Sequence, residues 1–172
     1  MKSNSNLYFK RIDTDIFMQR RNKNSKRPLK APFAVYQKRL EMIEELLDEL
    51  QELAMQDSII VVEGKRDILA LKTLGLKGNF RLATHHSLIN FCEKLAESGQ
   101  KIVILTDWDR RGNILASKLV ENLQSLDSNP ETRIRDLIIA LVQKEIKDVE
   151  SLPSYVRKLK EISKVTDVTD SF

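Results

Sequence analysis

The chain changes its hydrophobic period several times, and each change marks an element. From about Pro32 to Gln56, Leu40, Ile43, Leu47, Leu50 and Ala54 recur at three- and four-residue steps, with Leu46 and Leu53 widening the stripe. This is the face that a globular helix buries, so residues 35–56 are predicted as an amphipathic helix packed on its own domain. Two heptads are too few for a coiled coil, which leaves a dimer through Leu40 to Leu53 open. After Asp57 the period is lost. Ile59, Ile60, Val61 and Val62 form a continuous β-branched run, as in a strand buried on both faces of a parallel sheet, and a helix follows from about Arg66 to Leu74.

The same step repeats along the chain. "NFRLAT" from Asn79 predicts a second strand, leading into a helix whose apolar face is Leu88, Phe91, Cys92 and Leu95. Cys92 therefore reads as core. Gly99 stops that helix, Ile102 to Leu105 make a third strand, and a helix runs from Asn113 to about Leu126. Three β-α repeats predict an α/β protein, a doubly wound or three-layer sandwich with a parallel sheet of three or four strands. In "SNPETRIRDLIIALVQKEI", Asn129 and Pro130 mark a turn, and Ile134, Leu137, Ile138, Leu141 and Val142 favour a helix over a fourth strand. A last helix starts near Ser151 and Pro153 and is expected to end at Lys160, with "SKVTDVTDSF" as a frayed terminus.

Composition narrows the class. At 172 residues, 41% of them apolar and 31% charged, the chain reads as one soluble domain with extensions. No run approaches the roughly 20 apolar residues that a membrane helix needs, and the N-terminus lacks the apolar stretch of a signal peptide, so a cytoplasmic protein without membrane attachment is expected. One cysteine and two histidines leave no basis for a disulfide framework or a Cys/His zinc site. A metal, if bound, is expected on oxygen. Residues 1–34 carry 9 Lys/Arg and 2 Asp, a net of +7, and the rest carries 20 Lys/Arg against 23 Asp/Glu, a net of −3. The arm containing "RRNKNSKRPLK" is expected to be disordered, either lying along phosphates or serving as a solvated tail.

The chemistry lies at the strand ends. "VVEGKRD" puts Glu63 and Gly64 directly after the first strand, and "VILTDWDRRG" puts Asp107 and Asp109 after the third. In an open parallel sheet these loops gather at one edge, so the carboxylates should converge, repel one another and favour a cation. Mg²⁺ suits them, with Mn²⁺ as an alternative, because it takes a few hard oxygens and keeps positions for water and phosphate. Gly64 and Gly112 remove side chains where a phosphodiester could approach, Asp67 adds an acid one turn on, and Lys65, Arg66, Arg110 and Arg111 offer charge to a polyanion. Glu63 is placed to move a proton as general acid or base.

These two motifs, in this order, resemble the Toprim domain shared by bacterial-type primases, type IA and type II topoisomerases, OLD-family nucleases and certain ribosomal-RNA maturation nucleases. The resemblance spans roughly Asp57 to Leu126, and the sequence around the motifs is most similar to small archaeal single-domain Toprim proteins. It implies a Rossmann-like Toprim sandwich over 57–126, flanked by helical extensions at 35–56 and 127–172. It also implies that Glu63 is the general acid/base, that Asp107 and Asp109 bind Mg²⁺ in company with Glu63, and that Asp67 matches an acid of the primase and nuclease branches. Asp148 and Glu150 in "KDVESLP" are the nearest match to a further acidic pair that some members carry after a fourth strand. The helical reading of the preceding segment leaves that match open.

Other readings fit less well. A Walker loop needs a glycine where Ile59 stands and a Ser/Thr after Lys65. A haloacid-dehalogenase-like phosphatase would expect Thr or Val where Arg111 stands, and would give Glu63 no role. The chain is too short for a topoisomerase's cleavage domain and gate. His85 and His86 read as loop residues, and Trp108 as packing against the sheet edge rather than stacking on a base. Two functions remain: a Mg²⁺-dependent nuclease or related phosphotransferase acting on RNA or DNA, and a non-catalytic nucleic-acid-binding or assembly subunit of a primase-like or RNA-processing complex.

Overall fold

The structure, a computed structural model, describes residues 31–83 and 87–167. The basic arm before residue 31, the histidine pair and the last five residues lie outside them. In chain order the elements are α1 (Phe33–Met55), β1 (Ile59–Val62), α2 (Lys65–Thr73), β2 (Asn79–Leu82), α3 (Leu88–Glu97), β3 (Ile102–Ile104), α4 (Arg110–Ser125), α5 (Arg133–Val142) and α6 (Leu152–Asp167).

The strands form one parallel sheet in the order β2-β1-β3, with Ile59 opposite both Asn79 and Ile102. β1 is buried along its whole length because it is central and covered on both faces. Strand alternation divides its neighbours. Ile60, Val62, Val103 and Leu105 face a cluster built from α1, α2, α5 and α6, whereas Ile59, Val61, Ile102 and Ile104 face Cys92 and Leu95 of α3 and Ala116, Leu119 and Leu123 of α4. The result is the three-layer α/β sandwich expected from the repeats.

The faces follow from handedness. Right-handed crossovers put α2 on one face as the chain moves from β1 out to β2, and α3 on the other as it returns across β1 to β3. Strand order therefore reverses between β1 and β3, and the crevice at their carboxyl ends is the place where such sheets bind ligands.

Four expectations are sharpened or corrected. The segment after Pro130 is helical, and the fourth strand shrinks to one parallel bridge between Val103 and Glu131. The last helix continues past Lys160 to Asp167 instead of fraying. α4 begins at Arg110 rather than Asn113, because Asp109 caps it, which moves Arg110, Arg111 and Gly112 from the loop into the first turn. The stripe of α1 is buried within the chain against α5 and α6, so Leu40 to Leu53 form core rather than a dimer face. Cys92 is core as read, and Gly99 ends α3 in the left-handed region at φ 65°.

Candidate functional site

Each acid reaches the edge between β1 and β3 for a local reason. Glu63 is the first residue after β1. Asp67, at the third position of α2, turns back to accept the Gly64 N–H at 2.8 Å and so closes the start of that helix, which leaves its side chain buried. Asp107 lies between β3 and α4, where its Oδ1 accepts the Val149 N–H at 2.8 Å. Asp109 caps α4 by accepting the Gly112 N–H at 2.7 Å.

The two motifs meet at Gly112. This glycine is buried in the first turn of α4, and an added Cβ would lie 2.7 Å from Glu63 Oε1 and closer still to the Asp107 carbonyl. The approach that its bareness permits is thus internal: it lets the tip of β1 and the loop after β3 close on the same helix turn. Gly64 is different. A Cβ there would meet only Asp67 Oδ2, at 3.8 Å, so its missing side chain leaves open space at the rim.

Electrostatic coupling marks which acids are neighbours. Burial lifts Glu63 above the usual carboxylate range and Asp109 adds to the rise, while the Asp107 backbone N–H and Arg111 oppose it. Burial also lifts Asp67, against the N–H groups of Gly64 and Glu63, with Glu150 and Asp148 contributing repulsion. Asp107 is pushed up to about 7, chiefly by burial; the Val149 N–H opposes this, and Asp67, Glu63 and Asp148 add to it. Asp148, left open by the sequence, therefore belongs electrically to the site, and its Oδ1 also accepts the Ser151 N–H at 2.8 Å. Glu150 acts on Asp67 alone of these acids, from the rim, where it lies 3.8 Å from Arg66.

The donor set consists of hard carboxylate oxygens whose protons are held on chiefly by burial and further by one another's charge, which is the chemistry a divalent cation relieves. Among the described residues no three acidic, histidine or cysteine side chains are drawn into a ready-made cage. Mg²⁺ does not require one, since it is commonly held by one or two carboxylates with several waters. The residues present fit such an ion. Lys65, Arg66, Arg110 and Arg111 are all exposed around these acids.

Two groups of the site were not singled out from sequence. Arg135 on α5 is buried beneath the acid loop, donating from Nε to the Thr106 carbonyl at 2.9 Å and from one terminal nitrogen to the Asp107 carbonyl at 2.6 Å and Asn113 Oδ1 at 2.7 Å. The signal was present, because Arg135 shares the i, i+3, i+7 face of Ile138 and Val142, both fully buried. The other is the backbone of Ile146, Lys147 and Val149, beside the Asp148 and Glu150 that the sequence names. Trp108 donates its indole N–H to the Ile146 carbonyl at 2.7 Å and its backbone N–H to the Lys147 carbonyl at 3.1 Å, stitching that segment to the acid loop. Trp108 is buried, as the packing reading expects.

Comparison with known proteins agrees with this geometry. The Toprim domain model matches residues 58–141, which takes in β1 to α5. The chain is 60% identical over 126 residues to the UPF0292 protein of Methanosarcina barkeri, covering 73% of this chain and 88% of that protein. It is 37% identical over 124 residues to the UPF0292 protein of Methanocaldococcus jannaschii, covering 72% and 93%. A solved structure of a protein from Aquifex aeolicus superposes with a TM-score of 0.53 at 24% identity, covering 62% of this chain and 94% of its own, and supports the fold. Such a domain supports a metal-binding function related to nucleic acids. With the two acid motifs on one sheet edge and relatives this similar, the chain belongs to the archaeal UPF0292 family of small Toprim-domain proteins.

Proposed function

We propose that the protein is a Mg²⁺-dependent nuclease, or a related phosphodiester transferase, acting on RNA or DNA in the cytoplasm. The observation that carries this reading is the set of Glu63, Asp67, Asp107, Asp109 and Asp148, which act on one another at the switch point of the sheet beside exposed cations. One or two of Asp107, Asp109 and Glu63 would hold the cation, with water completing its shell. A bound Mg²⁺ supplies charge to a phosphoryl oxygen and orients in-line attack. Glu63, whose proton is held above the usual carboxylate range, is suited to give and take a proton at the reacting oxygen. Lys65, Arg66, Arg110 and Arg111 bind the phosphate backbone, and the open space at Gly64 admits it.

No helix among the described residues is long and apolar enough to cross a membrane. One observation favours the second reading, a binding or assembly subunit: Asp109 spends an oxygen on capping α4. Turnover separates the two. Labelled single-stranded RNA, structured RNA and supercoiled DNA are incubated with Mg²⁺, Mn²⁺ or EDTA, beside Glu63→Gln and Asp107→Asn. The nuclease reading expects metal-dependent product that both variants abolish, and the substrate cleaved names the class. Metal binding without product on any substrate would transfer the protein to the second reading.

A further inference from the structure

In an extended strand successive carbonyls point to opposite edges. The carbonyls of Thr106 and Asp107 are nonetheless both collected by one guanidinium, that of Arg135. The chain has therefore left strand geometry by Thr106 and Asp107, and Arg135 holds the bend. The same terminal nitrogen also takes Asn113 Oδ1, while the Asn113 amide donates to the Trp108 carbonyl at 3.0 Å, so consecutive residues of the acid loop are gripped from one point. Arg135 is 5% exposed, pairs with Asp136 at 3.9 Å, and also feels the charges of Glu63 and Asp107.

A buried cation is costly unless its donors are satisfied, and a lysine in this place would satisfy them poorly. Its ammonium is a point charge, whereas the guanidinium is a planar fork that can meet several acceptors in fixed directions. The arrangement thus selects arginine for geometry as well as charge. Groups that orient the holders of a metal in this way are known to govern affinity without touching the ion.

We propose that Arg135 is a positioning residue that sets the cation affinity of the acidic site by holding the bend from which Asp107 projects. The inference rests on the reading above that this site takes a divalent cation. It extends that reading to a residue outside both acid motifs.

The test measures Mn²⁺ binding to the full chain by electron paramagnetic resonance, with circular dichroism to check the fold. Arg135→Lys should weaken Mn²⁺ binding by roughly 10- to 100-fold, the usual range for a group that orients a metal's holders. Asn113→Ala, at an exposed position, should give a smaller loss in the same direction. Leu159→Ala, on the buried face of α6, serves as a control for stability alone and should bind Mn²⁺ as wild type does. Wild-type affinity in folded Arg135→Lys and Asn113→Ala would overturn the proposal, and so would an equal loss in the Leu159→Ala control. If Arg135→Lys fails to fold, Asn113→Ala decides. Wild-type protein that binds no Mn²⁺ would overturn the metal reading itself, and is distinguished from failure of the Arg135 role by that first measurement.

Discussion

The two loops that deliver the acids are each capped locally, by Asp67 and by Asp109, but differ in how many distant segments grip them. After β1 the helix start is closed locally, as Asp67 reaches back three residues to the Gly64 N–H, while Glu63 takes the Asp107 N–H and Lys65 and Arg66 remain exposed. After β3 a local cap, Asp109 on the Gly112 N–H, is joined by restraints from afar. Asp107 is tied to Arg135 across 28 residues and to Val149 across 42, and Trp108 to Ile146 across 38. A loop closed by its own helix turn should tolerate change at its rim, whereas a loop gripped by distant segments should transmit any displacement to the rest of the site.

The strongest way to break that contrast is to add one methyl group to each loop. Gly112→Ala places a Cβ against the Asp107 carbonyl and Glu63, where backbone must move, and should cost about 3 kcal/mol or more, well beyond the roughly 1 kcal/mol that alanine gains in a helix. Gly64→Ala meets only ordinary contact and should stay within about 0.5 kcal/mol of wild type. Urea denaturation of both variants measures the difference. Equal costs would mean that the two loops are not distinguished as described.

The second test uses protons. Asp107 is raised to about 7 in the folded chain from roughly 3.9 when unfolded, so between these values the folded state binds more protons. Its contribution to stability is present in full below about pH 4 and is lost as pH rises through about 7. Glu63 and Asp67 are shifted the same way. In EDTA, stability should fall across this window by on the order of 1 to 2 kcal/mol on Asp107's account, less than the shift implies because water and salt screen a partly open carboxylate. Asp107→Asn, which keeps an acceptor for the Val149 N–H, should flatten the slope. An unchanged profile of melting temperature against pH would remove Asp107 as its source.

The smallest effect on stability is expected at the rim. Arg66 and Glu150 form an exposed pair, so Arg66→Ala should change stability by less than about 0.5 kcal/mol. If Arg66 contacts phosphate, the same variant should reduce the salt dependence of nucleic-acid binding by about one counterion. Fluorescence anisotropy on a labelled oligonucleotide over a range of salt checks this, and an unchanged slope would leave Arg66 outside the contact surface.

The helical stripe of Leu40 to Leu53, the four-residue apolar run of β1 and the acids placed directly after strands were all legible, because periodicity and strand-end position are properties of adjacent residues. They sufficed for the α/β class and for Glu63 and Asp107 as a pair. The helix over Arg133–Val142 was legible for the same reason, although Arg135 within its buried face was not taken as a member of the site. An arginine on an apolar face has no visible partner until another segment is folded beside it.

What the order of residues determined is therefore which faces are buried and which chemistry stands at each strand end. Periodicity reports that a face is covered but not by what, so only the tertiary structure decided that α1 packs against α5 and α6 rather than a second copy. It alone decided that Gly112 is the close contact between the two acid loops, that Asp148 lies near enough to act on Asp67 and Asp107, and that Arg135 and the Val149 N–H hold the loop after β3. Hydrogen bonds and charge coupling depend on distances of a few ångströms, and between residues tens of positions apart those distances are set by how the chain folds back on itself.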